Sequence, residues 1–315
     1  MLILGLTIKY KAREFYLCII MTIKRSWVLL PLIVLGLSCE KTIQFTPEQS
    51  DPKLVVDATI EERSFPVVYL TSSLDYFSKI DPAQLAGSFV RGAQITISNG
   101  SVTEPLKEYE QDLGGGYSIV YYTVDSSSPT VFRGKQGVSY TMVVRNADKE
   151  YSATTMIPEG GRTMDALTFE RTVNEEDTTR VILYGMFTDP AGFGNYTRYY
   201  TNTNEDGYFP GLASVYDDQL IDGKKFRLPL DKGVDRNSDV DFDDISFFHR
   251  GDTVTVKFCN IDRGVYDFWR TMEFSYSSIG NPFSSPTKVL SNISNGALGC
   301  FAGYSVSYAS IRIPE

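Results

Sequence analysis

Hydrophobic and polar residues alternate with a period of two along much of the chain after residue 53. This alternation predicts half-buried β-strands, because successive side chains of a strand point to opposite faces. Turn residues such as Asn99-Gly100 separate the alternating segments, so we predict an immunoglobulin-like (Greek-key) β-sandwich over residues 53–158. The connection 74–92 has room for one helical turn. The predicted strands are LVVDATI (54–60), VVYLTSS (67–73), AQITISN (93–99), YSIVYYTV (117–124), SYTMVVRN (139–146) and EYSATTMI (150–157).

A second β-rich sandwich domain is predicted over residues 159–315, because the Pro- and Gly-containing segment 157–161 interrupts the run of strands. Residues 214–230 are predicted to form a hairpin with Asp222-Gly223 at its tip. Residues 281–301 are rich in Pro, Gly and Asn, which predicts a long loop. The further predicted strands are ALTFERTV (166–173), TRVILYGMFTD (179–189), DTVTVKFCNID (252–262) and SVSYASIRIP (305–314).

One short amphipathic helix is predicted at residues 263–278. Its apolar residues recur at helical spacing and would form one stripe that packs on the sheet. The residues of the stripe are Val265, Phe268, Trp269, Met272 and Tyr276.

The N-terminal residues have the layout of a secretory signal. Lys24 and Arg25 precede an 11-residue apolar run that ends just before Ser38 and Cys39. Eleven residues rise only about 16 Å as a helix, whereas a bilayer core is about 30 Å thick. The ending resembles the lipobox of bacterial lipoproteins, in which the Cys thiol takes a diacylglycerol and the signal is cut before it. We therefore predict that residues 1–38 are a signal peptide and that Cys39 is lipidated, the alternative being an uncleaved signal anchor.

Two translation starts are compatible with the sequence, because residues 1–20 do not have the composition expected of a signal peptide's N-terminal region. They are either a start-site artefact upstream of Met21 or a long, irregular n-region.

Charge separates the leader from the rest of the chain. From Cys39 onward the chain holds 25 of the 30 basic and 38 of the 39 acidic residues, a net charge of −13. A body this acidic repels nucleic-acid phosphates and anionic headgroups, which argues against nucleic-acid binding and against a charge-based membrane anchor. The polar residues 39–52 are predicted to be a tether between the lipid and the first domain.

Few residues suit catalysis. His249 is the only histidine, and Ser-His-Asp and Cys-His sites need a histidine base. We therefore predict that the protein is not an enzyme and needs no cofactor. A carboxylate-dependent hydrolase remains an alternative, since sequence proximity does not reveal which acids meet in space.

Two pairs of alternatives concern metals and cysteines. Alternating oxygen ligands in DRNSDVDFDD (235–244) suit Ca²⁺, but Val240 and Ser246 break the EF-hand pattern, so a solvated acidic loop is the competing interpretation. Cys259 and Cys300 either form a disulfide or are two buried free thiols. The candidate calcium ligands are Asp235, Asn237, Asp239, Asp241 and Asp243.

An aromatic group follows residue 195 and could stack on a glycan or meet a partner protein. The competing interpretation is ordinary sheet core with cross-strand pairs. The group comprises Tyr196, Tyr199, Tyr200, Tyr208 and Phe209.

Taken in order, several motifs resemble the Bacteroidota outer-membrane lipoproteins catalogued as domain-of-unknown-function family 4249. These motifs are SCEK (38–41), PKLVVDATI (52–60), RGAQITISNG (91–100), DPAGFGNY (189–196), NPF (281–283) and SNISNGALGCFAGYSVS (291–307). The resemblance implies an outer-membrane lipoprotein, often encoded beside a TonB-dependent receptor, and it implies no catalytic residue. Gly36 departs from the family's usual Leu-Ser-Ser-Cys ending. The sequence thus leads us to expect a partner protein of such a receptor or, alternatively, an independent glycan- or peptide-binding module, and it leaves the membrane leaflet undecided.

Overall fold

The computed structural model describes residues 51–74, 82–172, 177–235, 244–279, 281, 283–285 and 287–315. The predicted signal, Cys39 and the tether up to residue 50 lie outside this part of the chain. Neither helix in the described part has the length and apolar character needed to cross a membrane.

The six strands predicted in the first region are present, together with one that the pattern did not reveal. In β1 every second side chain is buried, as the alternation predicts. The helical turn predicted in the connection 74–92 is helix α1 (Pro82–Ser88). The strands are β1 (Leu54–Glu61), β2 (Val67–Ser72), β3 (Gln94–Ser98), β4 (Thr103–Gly114), β5 (Tyr117–Val124), β6 (Ser139–Asn146) and β7 (Lys149–Met156).

The second region holds the predicted amphipathic helix, α2 (Arg263–Ser277), and further strands. The side chain of Asp262 caps α2 by accepting the N–H of Val265 at 2.9 Å, which satisfies one of the free donors of the first turn. The strands are β8 (Thr163–Arg171), β9 (Arg180–Thr188), β10 (Tyr196–Thr203), β11 (Val215–Tyr216), β12 (Lys225–Leu230), β13 (Phe248–His249), β14 (Thr253–Ile261) and β15 (Leu298–Arg312).

Two sheets account for these strands in the described residues, which confirms a mainly β fold with a sandwich-like arrangement. The larger sheet has 11 strands in the order β11-β10-β14-β15-β1-β2-β5-β4-β3-β6-β7. The smaller sheet has four strands, in which β9 pairs with β8, β12 and β13.

Strand β15 pairs with strands from both sides of the boundary predicted at residue 158. It first runs parallel to β1, from Val55↔Leu298 to Glu61↔Tyr304, and then antiparallel to β14. The regions 53–158 and 159–315 therefore share one sheet, and Ser50–Glu315 forms one compact unit. Gly299 permits the parallel pairing, because it has a φ of 100° and a Cβ there would lie 1.9 Å from the carbonyl oxygen of Val56.

The prediction of a hairpin at residues 214–230 is wrong. β11 pairs with β10 in the larger sheet, whereas β12 pairs with β9 in the smaller one. The turn signal at Asp222-Gly223 is real, since Gly223 has a φ of 66°, but it lies in a loop between the sheets. The predicted loop at 281–301 likewise ends early, because β15 begins at Leu298.

Three hydrophobic cores hold these layers together. The first lies among β1 to β7 and includes Phe301 of β15. The second lies between the smaller sheet and β10, β14 and β15. The third lies under α2, where Val265 and Phe268 meet Cys259, Cys300 and Tyr304 of the sheet.

Candidate functional site

Two loops meet beside the N-terminal half of α2, and we call residues 189–195 and 217–223 the loop pair. Asp218 holds them together by accepting the backbone N–H groups of Gly194 at 2.7 Å and Asn195 at 2.8 Å. Asp222 likewise accepts the N–H of Gly192 at 2.6 Å. Gly192 and Gly194 have φ values of 115° and 113°, which side-chain-bearing residues rarely adopt, so this tight loop needs glycine at both positions.

A buried arginine lies beneath the loop pair. Arg162 Nε donates to Asp189 Oδ1 at 2.9 Å, and the two side chains are 2% and 0% exposed. The remaining guanidinium N–H groups donate to Thr197 Oγ1 and to the carbonyl oxygens of Asn195 and Asp217. Since this guanidinium contacts both loops and β10, it fixes the position of the loop pair on the sheet.

Three carboxylates of the loop pair form a compact acidic group. One oxygen from each of Asp189, Asp218 and Asp222 lies within 4.8 Å of the others. Oxygen ligands of this kind suit a hard cation, and two carboxylates at such a separation also occur in retaining glycosidases. However, Arg162 and backbone N–H groups already occupy oxygens of all three carboxylates. We therefore assign the three carboxylates a structural role, which is to order the two loops.

An apolar groove of about 580 Å³ lies along the C-terminal half of α2. Its apolar lining comes from Phe274 of α2 and from Leu212, Ala213 and Val215 of the facing segment. Polar residues complete the lining: Arg270, Thr271, Glu273, Ser277 and Thr287. The segment that carries Leu212 to Val215 continues directly into the loop pair at residue 217, so the groove and the loop pair belong to one surface. Tyr266 of α2 joins them by donating to Asp217 Oδ2 at 3.1 Å. Burial, together with Asp217, raises the pKa of Tyr266 to about 12, so its hydroxyl stays a donor at physiological pH.

The floor of the groove is a satisfied polar network. Glu273 accepts both the backbone N–H of Ser214, at 3.0 Å, and the Ser214 hydroxyl. Ser214 in turn accepts from Arg198 Nε at 3.3 Å, and the Arg198 guanidinium lies 3.3 Å from the centre of the Trp269 ring. Every member of this network has a partner, so the network holds the floor of the groove in place. The apolar side chains of the walls are then the part of the groove that a ligand can contact.

Large apolar side chains are exposed around this surface. Phe274 and Leu212 are 53% and 42% exposed at the groove, and Ile279 and Phe283 follow α2 directly at 72% and 95%. Phe193 and Leu220 project from the two members of the loop pair. Phe274 and Leu212 share the groove, and adjoining exposed apolar side chains are typical of an interaction site.

The aromatic residues singled out in the sequence do not form one surface. Tyr199 is buried in the second core, whereas Tyr196 and Tyr200 point to the opposite face of β10 and pack in the third core. Tyr208 lies elsewhere, edge-on to Tyr308 with 5.9 Å between ring centres, and Phe209 pairs with Thr201 through backbone hydrogen bonds. The interpretation as ordinary sheet core therefore applies to three of these five aromatic residues.

A different aromatic row lies on the solvent side of the larger sheet. Tyr121 of β5 has Tyr69 of β2 on one side, at 6.1 Å, and Tyr109 of β4 on the other, at 5.7 Å between ring centres. Asp57 of β1 is paired with Tyr69 and extends the row by one strand. Residues 69, 109 and 121 are far apart in the sequence, and these tyrosines become neighbours only through the strand order β1-β2-β5-β4.

Most of the candidate calcium ligands fall outside the described part of the chain. Asn237, Asp239, Asp241 and Asp243 lie outside the described residues, and only Asp235 of the candidate calcium ligands is described. His249 Nε2 lies 3.2 Å from Asp244 Oδ1, which also faces Arg180.

Cys259 and Cys300 are free and buried in the structure, which corresponds to the second alternative for this pair. Cys259 is opposite Val306, six residues beyond Cys300 along β15, or about 20 Å of extended strand. A disulfide needs Cα atoms within about 7 Å. Burial raises the pKa of Cys259 to about 12, so its thiol stays protonated.

Comparison with protein-family models gives one match, over residues 40–310, to a family described as a domain of unknown function, DUF4249. The match covers most of the chain. The protein belongs to the DUF4249 family. No curated protein matches the chain.

The motifs that resemble DUF4249 correspond to definite structural elements. DPAGFGNY (189–196) forms one member of the loop pair and the start of β10. Residues 291–296, SNISNG, lie against two strands, and we call them the latch. Asn292 both donates to and accepts from the backbone of Phe301, at 2.8 and 2.9 Å, while Ser294 does the same with Ser152 of β7, at 2.8 and 2.7 Å.

Proposed function

We propose that this DUF4249 protein is a non-enzymatic bacterial lipoprotein, held at the outer membrane through Cys39, that binds a protein partner. The partner that we propose is a TonB-dependent receptor. The observation that carries the proposal is the apolar groove along α2 with its exposed rim. The resemblance to lipoproteins encoded beside such receptors supports the identity of the partner.

The anchor rests on the sequence. Lys24, Arg25 and the apolar run before Cys39 support export and acylation, and the acidic body needs a lipid to stay at a membrane. Several acyl chains, at about 0.8 kcal/mol for each buried CH₂, make dissociation negligible. Mass spectrometry of the native protein is expected to find diacylglycerol on Cys39, and Cys39→Ala is expected to move the protein to the soluble fraction. A wild-type protein that is unacylated and keeps residues 21–38 would contradict the anchor.

The groove suits a protein partner for two reasons. Its apolar wall residues are open to solvent, while the buried polar groups of its floor are already paired, so association removes apolar surface without disrupting the paired floor. The lipid confines the protein to two dimensions, which raises its effective concentration near a membrane receptor. A moderate apolar contact is then sufficient for a lasting complex.

Affinity purification from detergent-solubilised membranes tests the partnership. Wild-type protein is expected to recover a TonB-dependent receptor, and Phe274→Glu is expected to lose it, because a carboxylate would enter the apolar contact. Leu113→Glu is the matched control, since Leu113 is equally exposed but lies at the tip of the β4–β5 hairpin. Wild-type protein recovered without a receptor, or equal recovery with both variants, would contradict the proposal.

The tyrosine row favours a second candidate function, which is glycan binding. Tyrosine rings offer apolar contact to the C–H faces of sugars, and Asp57 at the end of the row can accept hydroxyl hydrogen bonds. A glycan array probed with wild-type protein and with Tyr121→Ala tests it. Binding of a glycan by the wild type alone would favour this function, and no binding by either would remove it.

A further inference from the structure

Strand β15 changes partners along its length. Residues 298–304 pair with β1 on one side, but β1 ends at Glu61, opposite Tyr304. From Ser305 onward β15 pairs with β14 on its other side. Residues 306–312 of β15 therefore have no strand beside them where β1 has ended, within the part of the chain that the structure describes. We call this stretch the open edge.

The hydrogen-bond alternation identifies the free groups of the open edge. Ile313 N–H donates to the carbonyl of Asp252 at 2.8 Å, so odd-numbered residues of β15 point their backbone groups at β14. On the other side, Glu62 N–H donates to the carbonyl of Tyr304 at 2.9 Å, which shows that even-numbered residues point towards β1. Four residues therefore carry outward N–H and C=O groups that no described residue pairs: Val306, Tyr308, Ser310 and Arg312.

The open edge lacks the usual protection against strand addition. Exposed edges in native proteins are commonly blunted by proline, lysine, a bulge or a covering loop. Residues 306–312 read VSYASIR, without proline or lysine, and the register with β14 has no bulge. The chain does cover comparable groups elsewhere, since the latch closes β7 and the other side of β15. An edge left unblunted beside edges that are covered fits a surface kept open for binding.

The chemistry of the open edge selects its occupant. A second extended backbone is the group that matches N–H and C=O groups repeating at every other residue. Tyr308 is 56% exposed beside these groups, with Tyr208 edge-on to it, and offers contact to an apolar side chain. Two copies of the chain from Cys39 onward, each with a net charge of −13, repel one another, which favours a neutral or basic segment of another protein.

We propose that residues 306–312 of β15 bind an extended segment of a different protein, which adds to the sheet as a strand in line with β1. The segment spans about seven residues, carries no net negative charge and places an apolar side chain on Tyr308. This site is separate from the groove along α2 and does not depend on the function proposed for it.

Selection of random phage-displayed peptides against the full chain provides the probe, and the best binder is then synthesised. Ser310→Pro is the test variant, because it removes an outward N–H that β14 does not use. Ser310→Thr is its matched control, because it keeps the N–H and the hydroxyl group, which in Ser310 lies 2.8 Å from the Thr255 hydroxyl. We expect Ser310→Pro to weaken peptide binding about tenfold, the effect of losing one backbone hydrogen bond, and Ser310→Thr and Phe274→Glu to leave it unchanged.

Hydrogen exchange resolved to single amides supplies the second measurement. The peptide is expected to slow exchange at Tyr308, Ser310 and Arg312 and to leave the already protected Ser307 and Ala309 unchanged. Three results would overturn the proposal: no binder recovered, equal affinity for Ser310→Pro and wild type, or protection of Tyr308 and Ser310 in the free monomer. Sedimentation that shows a wild-type dimer abolished by Ser310→Pro would overturn it too, since the occupant would then be a second copy.

Discussion

Two stretches of the same strand, β15, differ in how their backbone is satisfied. Along residues 298–304 the strand is closed on both sides, by β1 and by polar side chains that include Asn292 of the latch and Thr155 of β7. Along residues 306–312 only the side facing β14 is closed. Within the described residues, the chain therefore closes one stretch of β15 with dedicated side chains and leaves the other stretch open on one side.

The comparison also separates stability from binding. The paired polar groups at Asn292 of the latch and at Arg162 beneath the loop pair are buried or half-buried, so a group that loses its partner there carries the full cost of desolvation. Groups at the open edge bond to water in the free protein, so altering them changes little until a partner arrives. The effects of substitution should therefore fall steeply from the loop pair to the open edge.

The largest loss of stability is expected for Arg162→Met. It leaves Asp189, whose side chain is fully buried, as an uncompensated charge, and should cost about 3–5 kcal/mol. Urea unfolding followed by the fluorescence of Trp269 measures it. Arg162→Lys keeps the charge and should lose less. A loss below about 1 kcal/mol for Arg162→Met would show that the loop pair does not depend on this ion pair.

Asn292→Ala in the latch is expected to cost about 2–3 kcal/mol, because the N–H and the C=O of Phe301 both lose their partner. The same unfolding experiment applies. Asn292→Asp retains the acceptor but not the donor, so its stability should fall between those of Asn292→Ala and the wild type. If the alanine variant were as stable as the wild type, the latch would not be what closes this side of β15.

Asp262→Ala should cost about 2 kcal/mol, because it removes the helix N-cap and leaves the hydroxyl of the buried Thr155 without this acceptor. Asp262 also accepts from Thr155 and from the N–H of Met156, but Met156 is exposed and water can replace that contact. Asp262→Asn keeps a capping oxygen and is the control. A loss as large as that of Arg162→Met would indicate that the β7 edge is closed mainly from here.

The smallest effect on stability is expected at the open edge. Ser310→Pro should change the free energy of unfolding by less than about 1 kcal/mol, because the N–H that it removes has no partner among the described residues and the side-chain contact that it loses, with the Thr255 hydroxyl, is exposed. Ala309→Pro is the contrasting variant, since its N–H bonds to β14, and it should destabilise strongly. Equal losses for both would mean that the outward N–H of Ser310 is already used in the native protein.

Local pattern was sufficient for most strands and for α2. Where apolar side chains alternate, as in residues 54–60, burial on one face determines the strand. β4 was missed because its two buried positions are Leu106 and Glu104, a carboxylate that accepts the hydroxyls of Ser128 and Thr130. The hairpin at 214–230 failed for the converse reason: a genuine turn joins segments that belong to different sheets.

The sequence by itself determined the mainly β class, the amphipathic helix and the motifs of the DUF4249 family, because side-chain periodicity and short motifs are local. Only the tertiary structure decided that β15 pairs with β1, that Tyr69, Tyr109 and Tyr121 form a row, and that residues 306–312 have an open edge. These features depend on which strands become neighbours. That choice minimises the free energy of the whole sheet and is not encoded in any single segment.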